Sequence, residues 1–243
     1  MFVEEQYLLS EVEKRDLLEV ASKRFKSEIG SSYFQRCLDV VYSALQEWPR
    51  VFVLRVDLRF AEGFWGENND SPKCFQNADV GAITRFIESL KSQLKENHRR
   101  KRCSGKPSLF KYVWVREREN SRYDHYHLVL FFNRDHYAHL GDYADRDAAN
   151  MGTRIQKAWC SALGLPVEDY AHLVHFPSKP NAKLDRNIKN ADPERYQEIL
   201  IRIAYLCKTR TKANIFGLNS IGCSQTKLSL TKGSNMVIGD YRR

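Results

Sequence analysis

No stretch of this 243-residue chain approaches the roughly 20 apolar residues of a membrane-spanning helix. Its first residues, MFVEEQYLLSEVEK, are too acidic and too poor in apolar side chains for a secretory leader. The six cysteines, at 37, 74, 103, 160, 207 and 223, include no Cys-x-x-Cys pair, so neither a zinc knuckle nor a disulfide framework is signalled. These absences point to a cytoplasmic protein with reduced, structural thiols. There is no internal repeat and no Walker motif, so any unwinding of a duplex falls to another chain, a host helicase. Acidic residues are the minority. Thirty Asp and Glu stand against 39 Lys and Arg, a net charge of +9 that favours a polyanionic partner, nucleic acid before a membrane surface. With 42% of residues hydrophobic and 28% charged, the composition suits one globular domain with a real core and an appended helical segment.

Hydrophobic periodicity supplies the elements. Residues 4–48 read as two helices broken at Glu28-Ile29-Gly30-Ser31-Ser32, the second stopped near Trp48-Pro49. RVFVLRVDLRF (residues 50–60) alternates, with Phe52, Leu54, Val56, Leu58 and Phe60 on one face and Arg55, Asp57 and Arg59 on the other. A loop follows, then a helix from Asp79 to about Asn97 and the basic run His98-Arg99-Arg100-Lys101-Arg102. Residues 108–120 and 125–133 read as two strands of a hairpin, joined by Ser121-Arg122-Tyr123-Asp124. Beyond them the pattern predicts a helix over 151–163, a short strand over 172–176 and a polar loop over 177–191. Asp192-Pro193-Glu194 then starts a last helix running to about Arg210. The tail beyond Phe216 is expected to be loosely ordered or to add an edge strand, with some alternation at 227–230. The order of elements predicts an α+β fold. It has a mainly antiparallel central sheet with helices packed on one face, preceded by a helical N-terminal segment and leaving the other face open.

On the strand HYHLVLFFN, His125 and His127 share the predicted open face, while Tyr126, Leu128, Leu130 and Phe132 face the core. Two imidazoles at i and i+2 suit two ligands of one metal ion. Seven histidines predict roughly 0.2 accidental His-x-His pairs, so the pair alone also fits two solvated histidines. Glu117 or Glu119 on the neighbouring strand can complete the set, unless either pairs with Arg116, Arg118 or Arg122. His172 stands in reserve. Two histidines and a carboxylate with open positions suit Mg²⁺ or Mn²⁺. The pairs His136/His139 and His172/His175 read as surface histidines.

On the last helix, Tyr205, Lys208 and Lys212 fall on one stripe, and positive charge beside a phenol favours the phenolate, a nucleophile. A snorkelling lysine on an amphipathic helix explains the same residues. Tyr205-Leu206-Cys207-Lys208 is nevertheless the one Tyr-x-x-Lys in the chain.

A polar-faced strand, a Glu eight residues before His-x-His, and a helix bearing Tyr-x-x-Lys follow in that order over residues 49–215. That order resembles the HUH endonuclease superfamily, closest to the rolling-circle replication initiators of plasmids and phages, including filamentous-phage (inovirus) types of bacterial prophages. Tyr126 stands where the family is usually aliphatic, and Ile201 where two-tyrosine members have a second tyrosine. The resemblance implies His125, His127 and Glu117 as ligands of Mg²⁺ or Mn²⁺, Tyr205 as nucleophile, and Lys208 as the group that steadies the phosphate or the tyrosine. It further implies nicking of single-stranded or hairpin origin DNA. Arg55, Arg99, Arg100, Lys101, Arg102, Arg210 and Lys212 are then candidate grips on the backbone, and Trp65 a base-stacking or core-plugging residue. It divides the chain into a helical extension (1–48), a nuclease domain (49–215) and a tail (216–243). The competing reading is a non-catalytic module with an RRM-like sheet that reads single strands, or a regulatory relative, needing neither metal nor Tyr205.

Overall fold

Ser10 opens the first helix with a capping box. Its hydroxyl accepts from the Glu13 backbone N–H at 3.2 Å, and the Glu13 carboxylate accepts from the Ser10 N–H at 2.7 Å. Helix α1 (Glu11–Phe25) ends where Lys26 turns left-handed at φ 48°. Helix α2 (Ser31–Glu47) stops before Pro49. There follow β1 (Arg50–Leu58), α3 (Ala82–Arg100), β2 (Phe110–Glu117), β3 (His125–Asn133), α4 (Met151–Leu163), the short α5 (Val167–Tyr170), β4 (Val174–His175) and β5 (Asn181–Asp185). The short α6 (Ile188–Ala191), α7 (Pro193–Ala204) and β6 (Ile221–Cys223) complete the fold, with 3₁₀ turns at Ala171–Leu173 and Tyr205–Cys207. The computed structural model describes residues 6–61, 75–118, 123–145, 147–209 and 220–225.

All pairings in the six-stranded sheet are antiparallel. The order is β4-β1-β3-β2-β6, with β5 paired to β1 on the edge it shares with β4. The fold is α+β with an antiparallel central sheet, as the alternation implies. Among the described residues no helix is long and apolar enough to cross a membrane.

The helices do not stay on one face. Phe52, Leu54, Val56 and Leu58 join Leu128, Leu130 and Phe132 under α3 and α4. Val51, Val53, Val113, Val115, Val129 and Phe131 lie under α2 and α7, with α1 packed alongside. The open face is therefore a misplaced expectation. Its inner residues are apolar over most of its length, and exposed valines and phenylalanines need a cover. The helical segment over 1–48 supplies part of it, so it shares a core with the sheet.

Element ends shift in instructive ways. The polar loop predicted over 177–191 contains β5 and α6. Strand β5 turns only Ala182 and Leu184 toward the core, and it is held mainly by backbone pairing to β1. The last helix stops at Ala204, six residues short of expectation, because Lys208 is extended and bridges to Ile29. An edge strand does form near the C-terminus, at Ile221–Cys223. The alternation noted at 227–230 lies outside the described residues.

Candidate functional site

Register brings the site together. The β1–β3 ladder places Asp57 opposite His127, and the β2–β3 ladder places Glu117 opposite His125. Three side chains thus meet at one end of the face that α2 and α7 cover. Glu117 Oε2 lies 3.3 Å from His127 Nε2 and 3.9 Å from His125 Nε2. One donor atom from each of Glu117, His125 and His127 falls within 4.8 Å of the others. Two ligands of an ion about 2.1 Å away can lie up to about 4.2 Å apart, so the two distances to Glu117 fit a shared divalent ion. Arg116 and Arg118 turn instead to Asp124, at 3.6 and 2.6 Å.

Asp57 completes the arrangement, and the sequence reading gave it no role. Its Oδ1 accepts from His127 Nδ1 at 2.6 Å, which fixes the ring and turns Nε2 toward Glu117. A carboxylate behind a histidine is the usual outer support of a metal-binding imidazole. Burial works against charge on His127, but hydrogen bonds to Asp57 and Glu117 outweigh it and raise its pKa. Burial likewise disfavours the Asp57 carboxylate, yet the hydrogen bond and charge of His127, with Arg55 nearby, bring its pKa below the usual range. The available signal was an acid on the polar side of an otherwise apolar strand, next to the histidine strand.

Tyr205 stands beside this cluster, on the 3₁₀ turn that ends α7. Its ring centroid is 5.9 Å from that of His127, at 85°. Lys208 Nζ lies 3.9 Å and the Arg55 guanidinium carbon 4.1 Å from the centre of the tyrosine ring, and Phe25 meets it edge-on at 5.2 Å. The predicted residues Glu117, His125, His127, Tyr205, Lys208 and Arg55 therefore converge.

Others do not join them. His172 is exposed and meets the Asp169 carbonyl at 3.0 Å, so it is no reserve ligand in this arrangement. His175, read as a surface histidine, is half-exposed but comes within 3.4 Å of Asp57 Oδ2. The basic run 99–102 ends α3, which packs on the other face of the sheet. Its strand neighbour begins at Phe110, opposite Phe132, at the end of β3 remote from His125. There Arg99 and Arg100 share the Glu96 carboxylate, whose pKa they hold at about 2. Trp65, Glu119, Arg210 and Lys212 lie outside the described residues.

No solved structure matches the chain. Among curated proteins it is 38% identical over 210 residues to "Uncharacterized protein YfjJ" of Escherichia coli (strain K12), covering 83% of this chain and 99% of that one. It is also 38% identical over 189 residues to "Uncharacterized protein YagK" of the same strain, covering 74% of this chain and 86% of that one. The YagK/YfjJ C-terminal domain matches residues 13–224, a span that runs from within α1 to just past β6. The chain therefore belongs to the YagK/YfjJ C-terminal domain family.

Proposed function

We propose that this protein is a cytoplasmic, metal-dependent enzyme that nicks and rejoins single-stranded DNA through Tyr205, initiating rolling-circle replication. One observation carries the reading: an aromatic hydroxyl-bearing side chain flanked by two cations stands against a two-histidine, one-carboxylate cluster whose inner histidine is braced by Asp57. The donor set fits Mg²⁺ or Mn²⁺, because one buried carboxylate and two imidazoles leave positions for phosphate oxygens. Such an ion, when bound, acts as a Lewis acid on the scissile phosphate.

The chain's own residues do the rest. Asp57 keeps His127 oriented, and Glu117 offers negative charge from a nearly dry position. Arg55 and Lys208 hold the Tyr205 ring from its faces and bring positive charge to where an anionic phosphate must sit. The phenol oxygen attacks phosphorus in line, the bond from phosphorus to the 3′ oxygen breaks, and the phenolic proton ends on the released 3′-hydroxyl through solvent. A 5′-phosphotyrosine keeps the ester's energy, and a later 3′-hydroxyl reverses the step to rejoin or transfer the strand.

The test is direct. Wild-type protein with Mn²⁺ and labelled single-stranded or hairpin oligonucleotides should give a covalent adduct that survives a denaturing gel. The adduct should vanish in Tyr205→Phe and on chelation. Metal-independent binding with no adduct on any such substrate would instead support a non-catalytic strand-binding module.

A further inference from the structure

The edge of β1 is not paired continuously. His175 and Val174 pair with Asp57 and Leu58, and Asn181 resumes the ladder opposite Leu54. Between them the five residues 176–180 cover a stretch that β1 spans with two, Arg55 and Val56. The surplus is thrown outward as a strap, Phe176-Pro177-Ser178-Lys179-Pro180. It is tied down at both sides: the Arg55 N–H donates to the Pro180 carbonyl at 2.7 Å, and Arg202 on α7 donates to the Lys179 carbonyl. Lys179 is held at φ 53°, a left-handed conformation uncommon for a side-chain-bearing residue and further disfavoured before proline. Strain of this kind persists only where the surroundings impose it, and it gathers at binding sites.

The strap walls two adjoining cavities, and Pro177, Ser178 and Lys179 line both. The smaller, about 70 Å³, lies against Tyr205. Its charged lining is Arg55, Lys179 and Arg202, with no carboxylate. Its volume equals roughly two waters at ~30 Å³ each, room for a small anion and too little for a base. The charge there is incompletely answered. Arg55 reaches Asp57 at 3.5 Å, but its Nε is buried without a hydrogen-bond partner, and burial holds Arg202 below the usual guanidinium pKa against the opposing charge of Glu198.

The larger cavity, about 520 Å³, has the size of a small-molecule site. Tyr143 and Phe176 stand in its wall with ring centroids 4.6 Å apart, and His139 and Asn181 add polar edges. Tyr143 is 39% exposed, yet its loop is rigidly held. Asn150 donates to the Asp142 carbonyl at 2.6 Å, and the Gly152 N–H donates to that of Leu140 at 2.9 Å. Gly152 is required there, because a Cβ would fall 2.6 Å from Tyr143 Cβ. An exposed aromatic on a fixed platform, next to a cationic pocket, has the layout of a nucleotide site.

We propose that the two cavities hold one nucleotide of the DNA strand next to the cleaved phosphate. Its own phosphate lies on Arg55, Lys179 and Arg202, and its base enters the larger cavity against Tyr143. This rests on the nicking reading for the position of the cleaved phosphate at Tyr205. It adds a place where the enzyme reads the identity of a base.

The experiment uses full-length Tyr205→Phe protein, which binds without turnover, and mixed-sequence single-stranded oligonucleotides carrying one 2-aminopurine at successive positions. Fluorescence should be quenched at one position, and Tyr143→Ala should abolish that quench. Lys179→Gln should weaken binding and lower the slope of log affinity against log salt by about 0.7, one single-strand phosphate contact. Both side chains are exposed, so neither change threatens the fold. A quench and a salt slope unaffected by these substitutions would overturn the proposal, as would binding to none of the oligonucleotides. Adduct formation by protein with Tyr205 intact is scored separately. A quench that depends on Tyr143 without any adduct keeps the nucleotide site and removes the nicking reading. An adduct with no such dependence does the reverse.

Discussion

The two faces of the sheet are built from the same strands and have opposite characters. Under α3 and α4, β1 and β3 present an unbroken apolar surface from Phe52 to Leu58 and from Tyr126 to Phe132. On the other face the same strands begin with Val51, Val53, Val129 and Phe131, and change over to Arg55, Asp57, His127 and His125 within two steps of the pleat. The helical cover follows the change, since α7 ends at Ala204 and delivers Tyr205 at the point where the charges begin. One face is wholly concerned with stability. The other is divided, and its apolar half holds the polar half in place.

That division can be tested by paired substitutions at adjacent residues of β3. Leu128→Ala on the all-apolar face should cost about 2–5 kcal/mol in chemical denaturation. Mn²⁺ should raise the Tm of the wild-type protein and of this variant alike. Loss of the rise in folded protein would show that the faces are not separable. His127→Ala removes a shared partner of two buried carboxylates, and should cost about 3 kcal/mol. It should also abolish the Mn²⁺ effect, and a surviving effect would move the metal elsewhere. Asp57→Asn leaves the proposed ligands in place but exchanges the charged brace for a neutral one, so Mn²⁺ affinity by calorimetry should fall about 10- to 100-fold.

The same variant sharpens the pH dependence. His127 has a raised pKa and must lose its proton to bind metal, so wild-type affinity should fall as pH drops through that raised value. Without the Asp57 charge the fall should move to lower pH. The smallest effect belongs to the remote basic run, where Glu96→Gln frees two exposed arginines. Stability in chemical denaturation should be unchanged, with Mn²⁺ binding untouched.

Much of the polar half was legible because strands alternate with a period of two. His125 and His127 had to share a face, and the hairpin had to bring β2 beside them, which left Glu117 or Glu119 as the third member. Helix α4 and strand β3 fall where periodicity put them. What escaped was set by contacts distant in sequence. An amphipathic helix announces that it covers something but not what, so α1 and α2 looked appended when they close the second face. Asp57 looked solvated because a charge on a strand normally is, and its pairing with His127, with Arg55 and His175 beside it, explains its burial. The stripe of α7 continues through Leu206 with nothing local to stop it, yet the bridge from Lys208 to Ile29 ends the helix. Strand β5 carries too few apolar side chains to declare itself.

That bridge has a consequence for the order of events during synthesis. The Gly30 N–H donates to the Cys207 carbonyl at 2.8 Å and the Thr209 N–H to that of Glu28 at 3.0 Å, so the turn bearing Tyr205 is clipped to the turn between α1 and α2. The two halves of the clip lie far apart in the chain, so during synthesis the first must wait for the second. The histidines, the carboxylates and strands β1 to β5 all precede Tyr205 in the chain and are made before it. The turn bearing Tyr205 therefore docks only after the cluster it faces has been made.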